Sequence, residues 1–370
     1  MSREHGGHAR LTGHHATSTA RNECARDIAI LFRASRRIFC IQGFQNLNPL
    51  LSCCLAAVVA AFAGALPACA QSWPDKPIRL LVPVAPGGGT DIIARLIAQG
   101  LTESWGQSVV VDNRSGGGGV IGVALAAKAA PDGYTMLLGS SGHITFAPAL
   151  YRNLPYDTQK DLAPVSLVAN QPSILAVHPS LAARSVKELI ALARKSPGSI
   201  TYASGGSGGA AHLGTELLQI TTGISLVHVP YKGTGPGMAA LLSGEVQVAI
   251  VGVATILPHI ASGKIRALAV TGAQRSRAAP DLPTIGEAGV AGYEFDVWYG
   301  LMFTGGTPRA IVMKTNAELA RVLKSPATTQ RFASAGLEPL TTTPETFADL
   351  IRREIPKWQK VVATAELKAE

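Results

Sequence analysis

A glycine-rich turn recurs in this chain, each time between a strand-like apolar run and a helix-like run. It appears as Ile78-Arg-Leu-Leu-Val-Pro-Val-Ala-Pro-Gly-Gly-Gly-Thr-Asp91. It returns as Val109-Val-Val-Asp-Asn-Arg-Ser-Gly-Gly-Gly-Gly-Val-Ile-Gly122, and again as Ile200-Thr-Tyr-Ala-Ser-Gly-Gly-Ser-Gly-Gly-Ala-Ala-His212. Short apolar strands alternating with helices predict an α/β protein with a parallel sheet covered on both faces. The turns also leave backbone N–H groups free at helix N-termini, where the macrodipole adds about half a positive charge. Several of them in one chain point to a receptor that grips a small anion.

Residues 1–70 read as a leader and signal peptide rather than as part of the fold. Leu50–Ala68 is almost wholly apolar and uncharged, follows Arg33, Arg36 and Arg37, and closes on Ala68-Cys69-Ala70, an A-x-A cleavage site. This predicts export to the periplasm with cleavage near Ala70 and a mature chain from Gln71. The run approaches bilayer-spanning length, so a retained anchor is the competing reading; the polar Gln71-Ser-Trp-Pro74 that follows favours cleavage. Leu66-Pro-Ala-Cys69 loosely resembles a lipoprotein box, in which proline sits badly. Residues 1–48 are longer and more polar than a signal needs, and the next methionine after Met1 is Met136, which leaves a non-Met start near residue 38 as an alternative. His5, His8, His14 and His15 offer metal ligands there, against the plainer reading of an unstructured or untranslated leader.

All five cysteines (Cys24, Cys40, Cys53, Cys54, Cys69) precede residue 71, so the mature chain has neither disulfide nor thiolate chemistry. The net charge is +9 overall and +5 for residues 71–370, scattered rather than clustered. A nucleic-acid partner would need a basic stripe with interleaved aromatics, and the sequence has none.

About 300 mature residues suit two domains. A first series of strands (Ile78–Val84, Val109–Asp112, Tyr134–Leu138) alternates with helices Asp91–Trp105 and Val120–Ala130. A second has strands Ile174–Val177, Ile200–Ala203, Leu226–Val229, Gln247–Val251 and Ile265–Thr271, with helices Val186–Ser196, Ala211–Thr221 and Pro236–Ser243. Trp298–Phe303 then leads into helices at about 308–324, 327–335 and 344–365, placed to pack back on the first domain. The expected division is a discontinuous first lobe, 73–172 plus 297–370, and a second lobe, 173–296, in a Venus-flytrap arrangement.

The chain resembles the Bug-type solute receptors of tripartite tricarboxylate transporters over essentially all of 73–365. The resemblance is carried by Trp73-Pro-Asp-Lys-Pro-Ile78, Pro86-Gly-Gly-Gly-Thr-Asp91, Asn113-Arg-Ser-Gly-Gly-Gly-Gly-Val-Ile-Gly122 and Pro131-Asp-Gly-Tyr-Thr135. It continues through Leu154-Pro-Tyr-Asp157, Ser204–His212, His228-Val-Pro-Tyr-Lys-Gly233, Leu257-Pro-His-Ile260 and Gly263-Lys-Ile-Arg-Ala-Leu-Ala-Val270. It implies a two-lobed periplasmic receptor, a monomer, that delivers an organic carboxylate to membrane transporter subunits, with no catalytic activity and no cofactor. Gln247, Val251 and Gly252 stand where relatives often carry aspartate or asparagine, which leaves the ligand's identity open.

Candidate ligand-binding residues follow from the turns. Gly88, Gly89 and Thr90 would present N–H groups to the cleft, and Asp91 either caps the helix or accepts from an ammonium on the ligand. Ser140, Ser141 and His143 follow a strand, at the carboxyl end where α/β sheets place ligands, although the hydroxyls equally suit an N-cap. Ser204, Ser207 and Gly208 form the matching cradle on the second lobe. His212 is either a ligand residue or a core histidine. Tyr231, Lys232 and Gly233 follow the next strand, and Lys232 would neutralise an anion unless it is an ordinary surface lysine. Arg114 fits a carboxylate bidentately, or an ion pair with neighbouring Asp112.

Gly205-Gly-Ser-Gly-Gly209 also fits the G-x-S-x-G elbow of α/β-hydrolases, with Ser207 as nucleophile. The last histidine after it is His259, no aspartate intervenes, and more than 100 residues follow without a histidine, which argues against a triad. The chain lacks the Gly-Lys-Ser/Thr of a P-loop, a helix-opening G-x-G-x-x-G, and metal-spaced Cys-x-x-Cys or His-x-x-x-His pairs. The remaining alternative to uptake is a periplasmic sensor that signals to a membrane partner.

Overall fold

The computed structural model describes residues 73–87 and 89–367. The expected signal peptide, its cleavage site, Cys69 and Gly88 lie outside the described residues. In chain order the first elements are β1 (Ile78–Val82), α1 (Gly89–Trp105), β2 (Val109–Asn113), α2 (Val120–Ala127) and β3 (Thr135–Ser140). A π-helical turn (Gly142–Phe146) and the short α3 (Ala147–Leu150) then lead to β4 (Leu162–Gln171). Next come β5 (Ser173–Val177), α4 (Val186–Lys195), β6 (Thr201–Ser204), α5 (Ala210–Thr222), β7 (Val227–Pro230), α6 (Thr234–Ser243), β8 (Val248–Gly252), α7 (Val253–Ala261) and β9 (Arg266–Val270). The chain closes with β10 (Val297–Thr304), α8 (Arg309–Leu323), α9 (Pro326–Ser334), β11 (Glu338–Pro339) and α10 (Pro344–Thr364).

These elements build two α/β lobes around two sheets, ordered β11-β4-β10-β3-β1-β2 and β7-β6-β8-β5-β9. The expected parallel pairing holds for β2-β1-β3 and for β7-β6-β8. Each sheet also carries one internal strand of opposite direction: β10 runs antiparallel to β3 and β4, and β5 runs antiparallel to β8 and β9. These are the strands that begin just after the chain crosses from the other sheet, at Pro172 and after residues 271–296.

Both sheets are covered on two faces, and strict alternation within strands assigns each side chain to a face. In the first sheet Ile78, Leu80 and Val82 pack with Met136, Leu138, Leu301 and Phe303 beneath α1, α8 and α9. Leu81, Leu137 and Met302, one residue out of phase, pack beneath α2 and the first half of α10. In the second sheet Leu175, Val177, Val248 and Ile250 face α4 and α5, while Ile174, Ala176 and Ala249 face α6 and α7.

The structure departs from sequence expectation in four places. The helix expected over Val120–Ala130 ends at Ala127, short of Pro131, whose ring disfavours helical backbone at the preceding residue. The ten-residue β4 is masked in the sequence by Pro164, which sits opposite Met302 beside a register shift where an interrupted ladder tolerates proline. Helix α7 is masked by its run of β-branched residues and by the internal Pro258. The closing helices do not all return to the first sheet either. Phe347, Ile351 and Ile355 of α10 join the first lobe's core, but Trp358, Val361 and Val362 join the core beneath α4 and α5. Among the described residues no helix is long and apolar enough to cross a membrane.

Candidate functional site

A cavity of about 300 Å³ lies between the lobes, at the small end of ligand-site volumes. Its first wall is Gly118 of the second glycine turn, then Ser140, Ser141, Gly142 and His143, which end β3 and open the π-helical turn. Phe146, Ala147, Leu150 and Tyr151 continue that wall through α3, the third glycine turn (Ser207–Gly209) with Ala210 forms the opposite one, and Val297 of β10 also lines it. Both walls stand beyond the carboxyl ends of strands, the usual ligand position in open α/β sheets. The lobes meet here: a Cβ placed on Gly208 would lie 3.2 Å from Leu150 Cδ1.

The first wall is held by backbone that only glycine adopts easily. Gly116, Gly117, Gly118 and Gly119 all have positive φ, from +54° to +128°. An added Cβ on Gly119 would stand 2.2 Å from His143 Cδ2, so the imidazole lies directly on this turn. His143 Nδ1 accepts from the Ser140 N–H at 3.2 Å and lies 2.9 Å from Ser140 Oγ, which places the ring proton on Nε2. Burial pulls His143 down to about 4, so the ring is neutral at physiological pH. Ser141 is fully buried, and its Oγ has no hydrogen-bond partner among the described residues.

The structure thus brings Ser140, Ser141, His143, Ser207 and Gly208 to one cavity. The other sequence candidates lie elsewhere. Gly89 and Thr90 open α1, with Gly89 facing Tyr299: a Cβ there would lie 3.5 Å from Tyr299 Oη. Asp91 is 3 % exposed and its carboxylate is fully engaged. Oδ2 accepts from the Gly87 N–H and Arg95 Nε, each at 2.9 Å, and Oδ1 accepts from Asn113 Nδ2 at 3.0 Å. Burial opposes its ionisation, but the bonds from Arg95, Gly87 and Asn113 outweigh it and hold the carboxyl below its usual range. Arg114 donates to Asp112, which also takes Arg79.

The remaining candidates form a layer beneath the third turn. Ser204 Oγ bonds His228 Nε2 at 2.6 Å and the backbone of Gly206, closing the turn on itself. His212 Nδ1 accepts from the Gly208 N–H at 3.0 Å, and its ring stacks on His228 at 3.8 Å. Burial, then repulsion from His228, pulls His212 down to about 4. Beside it, burial raises Glu216, whose Oε1 accepts from Tyr202 Oη and Gln219 Nε2. Tyr231 and Gly233 brace the same turn through N–H bonds to the carbonyls of Ser204 and Gly205, while Lys232 points to solvent. For Ser207 as a nucleophile, the nearest histidine in sequence, His212, is turned to Gly208 and to Glu216, 3.7 Å away.

Sequence reasoning missed Phe146, Leu150, Tyr151 and Val297. Aliphatic and aromatic residue types carry no signal of a site, and only the π-helical turn and the arrival of β10 place them there. It also missed a hydrogen-bonded pair that joins β10 to the end of β4. Tyr299 Oη donates to Gln171 Oε1 at 2.8 Å, and Gln171 Nε2 occupies the space a side chain at Gly252 would take, 3.0 Å from an added Cβ.

Residues 93–367 match the family described as Tripartite tricarboxylate transporter family receptor. The chain is 40% identical over 320 residues to the protein BugT of Bordetella pertussis, covering 86% of this chain and 98% of that protein. Among solved structures it is similar to R. palustris Rpa4515 with adipate, at 40% identity and a TM-score of 0.67, covering 80% of this chain and 99% of that one. It is also similar to MatC (Rpa3494) from Rhodopseudomonas palustris with bound malate, at 31% identity and a TM-score of 0.64, covering 78% and 100%. A glycine-lined cleft between two α/β lobes and the match over three quarters of its length agree: this chain belongs to the tripartite tricarboxylate transporter receptor family.

Proposed function

We propose that the chain is an exported, monomeric solute receptor without catalytic activity, which captures a small organic carboxylate between its lobes and hands it to membrane transporter subunits. In this reading the lobes are 73–172 with 297–370 and 173–296, and they close about the crossing segments at Pro172 and before Val297. The observation that carries it is the cavity's composition. Its walls offer hydroxyls from Ser140, Ser141 and Ser207 and the N-terminus of the 13-residue α5, a helix end that favours an anion. Two relatives with similar folds hold adipate and malate, both carboxylates. Residues 1–70 would then be removed near Ala70 on export.

The test is thermal unfolding of the protein against a panel of organic acids. A ligand at a hundred times its Kd adds about 2.7 kcal/mol and raises the melting temperature readably. Ser207→Glu, which puts a negative charge into the cradle, is expected to remove that shift while leaving the unliganded melting temperature near wild type. A panel without any shift, or an undiminished shift in Ser207→Glu, overturns the reading.

A further inference from the structure

We propose that the cleft selects organic acids with an uncharged, apolar body and rejects their α-amino counterparts, and that Ser141 Oγ is a hydrogen-bond donor to the bound carboxylate. The inference deepens the carboxylate-receptor reading and rests on it. Among the described residues, none that lines the cavity carries a formal charge. His143 is neutral, with its Nδ1 already accepting from Ser140. An anion is nonetheless accommodated, because the N-terminus of α5 and the hydroxyls of Ser141 and Ser207 present donors. An ammonium needs acceptors, and a buried cation without a partner is among the costliest groups to desolvate.

The carboxylates of the neighbouring segments are either engaged by other donors or stand outside the cavity lining. Asp91, the one acid the sequence offered for an amino group, is engaged by Gly87, Arg95 and Asn113. Glu354 accepts from Thr145 Oγ1 and Trp298 Nε1, and Glu216 from Tyr202 and Gln219. Asp296 precedes the lining residue Val297 but does not itself line the cavity: its carboxylate packs against Gly272, where an added Cβ would meet Oδ1 at 2.7 Å, and that buried oxygen has no hydrogen-bond partner among the described residues. At Gly252 there is no side chain at all, and the Gln171 amide stands against it, its Oε1 taken by Tyr299. The apolar part of the lining is Phe146, Leu150 and Val297, a surface for methylenes or a ring. Ser141 supplies the second, independent observation: a fully buried hydroxyl in the cavity wall whose Oγ has no partner among the described residues. Leaving such a group unmade is unfavourable, and a carboxylate oxygen would satisfy it.

The test is calorimetric titration of the protein with matched pairs that differ only by an amino group: succinate and aspartate, glutarate and glutamate, adipate and 2-aminoadipate, 3-phenylpropanoate and phenylalanine. In at least one pair the plain acid is expected to bind and its amino partner to bind at least a hundredfold more weakly. Ser141→Ala is expected to weaken that acid about tenfold with the melting temperature of the free protein unchanged. An amino acid that binds as tightly as its plain partner overturns the selectivity while leaving the receptor reading intact. Wild-type affinity in Ser141→Ala overturns the role of that hydroxyl. If neither member of any pair binds, the carboxylate reading fails and the inference falls with it.

Discussion

Asp91 looks, from sequence, equally like a helix cap and a ligand residue, and its environment separates the two. Three donors converge on a carboxylate that is 3 % exposed, joining the first glycine turn, α1 and the end of β2. Asp91→Ala is therefore expected to destabilise the protein by about 2 kcal/mol, since hydrogen bonds to a charged group contribute about 1.5–3 kcal/mol. Urea denaturation measures that loss. The ratio of affinities for a plain acid and its amino counterpart should stay unchanged. His143 illustrates a similar division. Its ring is fixed by Ser140 on one side and by Gly119 on the other, so it shapes the wall as a neutral group rather than as a charge.

At the scale of elements, α10 joins the two lobes. Its first half packs Phe347, Ile351 and Ile355 on the first sheet, and Phe347 comes so close that a Cβ on Gly300 would meet its ring at 2.1 Å. Its second half places Trp358 at 4.8 Å from Phe146 and 5.8 Å from Phe295, edge to face in both cases. Pro356 lies between the halves and removes one helical hydrogen bond where the helix passes from one core to the other. Trp358→Ala is expected to cost about 4 kcal/mol, in the range for truncating a buried Trp or Phe. Ile351→Val, in the first-lobe half, should cost about 1 kcal/mol. Chemical denaturation of both variants checks the contrast, and a Trp358→Ala cost below that of Ile351→Val would refute the bridging role.

For the whole molecule, the segments that cross between sheets carry a strongly perturbed carboxyl. Asp296 sits just before β10, and burial, reinforced by Glu294, Glu354 and Glu338 and opposed by a bond from Asn170, pushes it up to about 7. Lys357, which donates to the Glu294 carbonyl and is itself lowered by burial, adds the nearby positive charge. The sign follows from proton linkage. The folded protein holds this proton more tightly than the unfolded chain, whose aspartate titrates near 3.9. The stabilisation is complete below about pH 4 and is lost as pH rises through about 7. His143 and His212, both depressed to about 4, act in the opposite direction, losing stability as pH falls below the usual histidine range. The comparison must therefore be with Asp296→Asn at each pH. Relative to wild type, the variant is expected to gain up to about 1.4 kcal/mol per pH unit between pH 5 and 7 and to level off above. Urea unfolding at pH 5, 6, 7 and 8 measures the difference, and a constant gap across that range would show that Asp296 does not titrate there.

The sequence by itself determined the class of fold and most of its elements. Glycine turns, strand-to-helix alternation and period-two packing act over a few residues, so most strands of both sheets and the helix that opens at Ala210 were legible locally. It also singled out Ser140, Ser141, His143, Ser207 and Gly208, because residues at the carboxyl ends of strands and at helix openings face the same edge of a sheet. Only the tertiary structure decided which polar groups stay available to a ligand. Asp91, Ser204, His212 and Tyr231 have the same side chains in either role, and it is partners distant in sequence, such as Asn113 and His228, that commit them. Likewise β4, interrupted by Pro164, becomes a strand only because β10 arrives from the far end of the chain to pair with it. Hydrogen-bond partnership and strand pairing are set by closure of the whole chain, and that information does not reside in any local stretch of it.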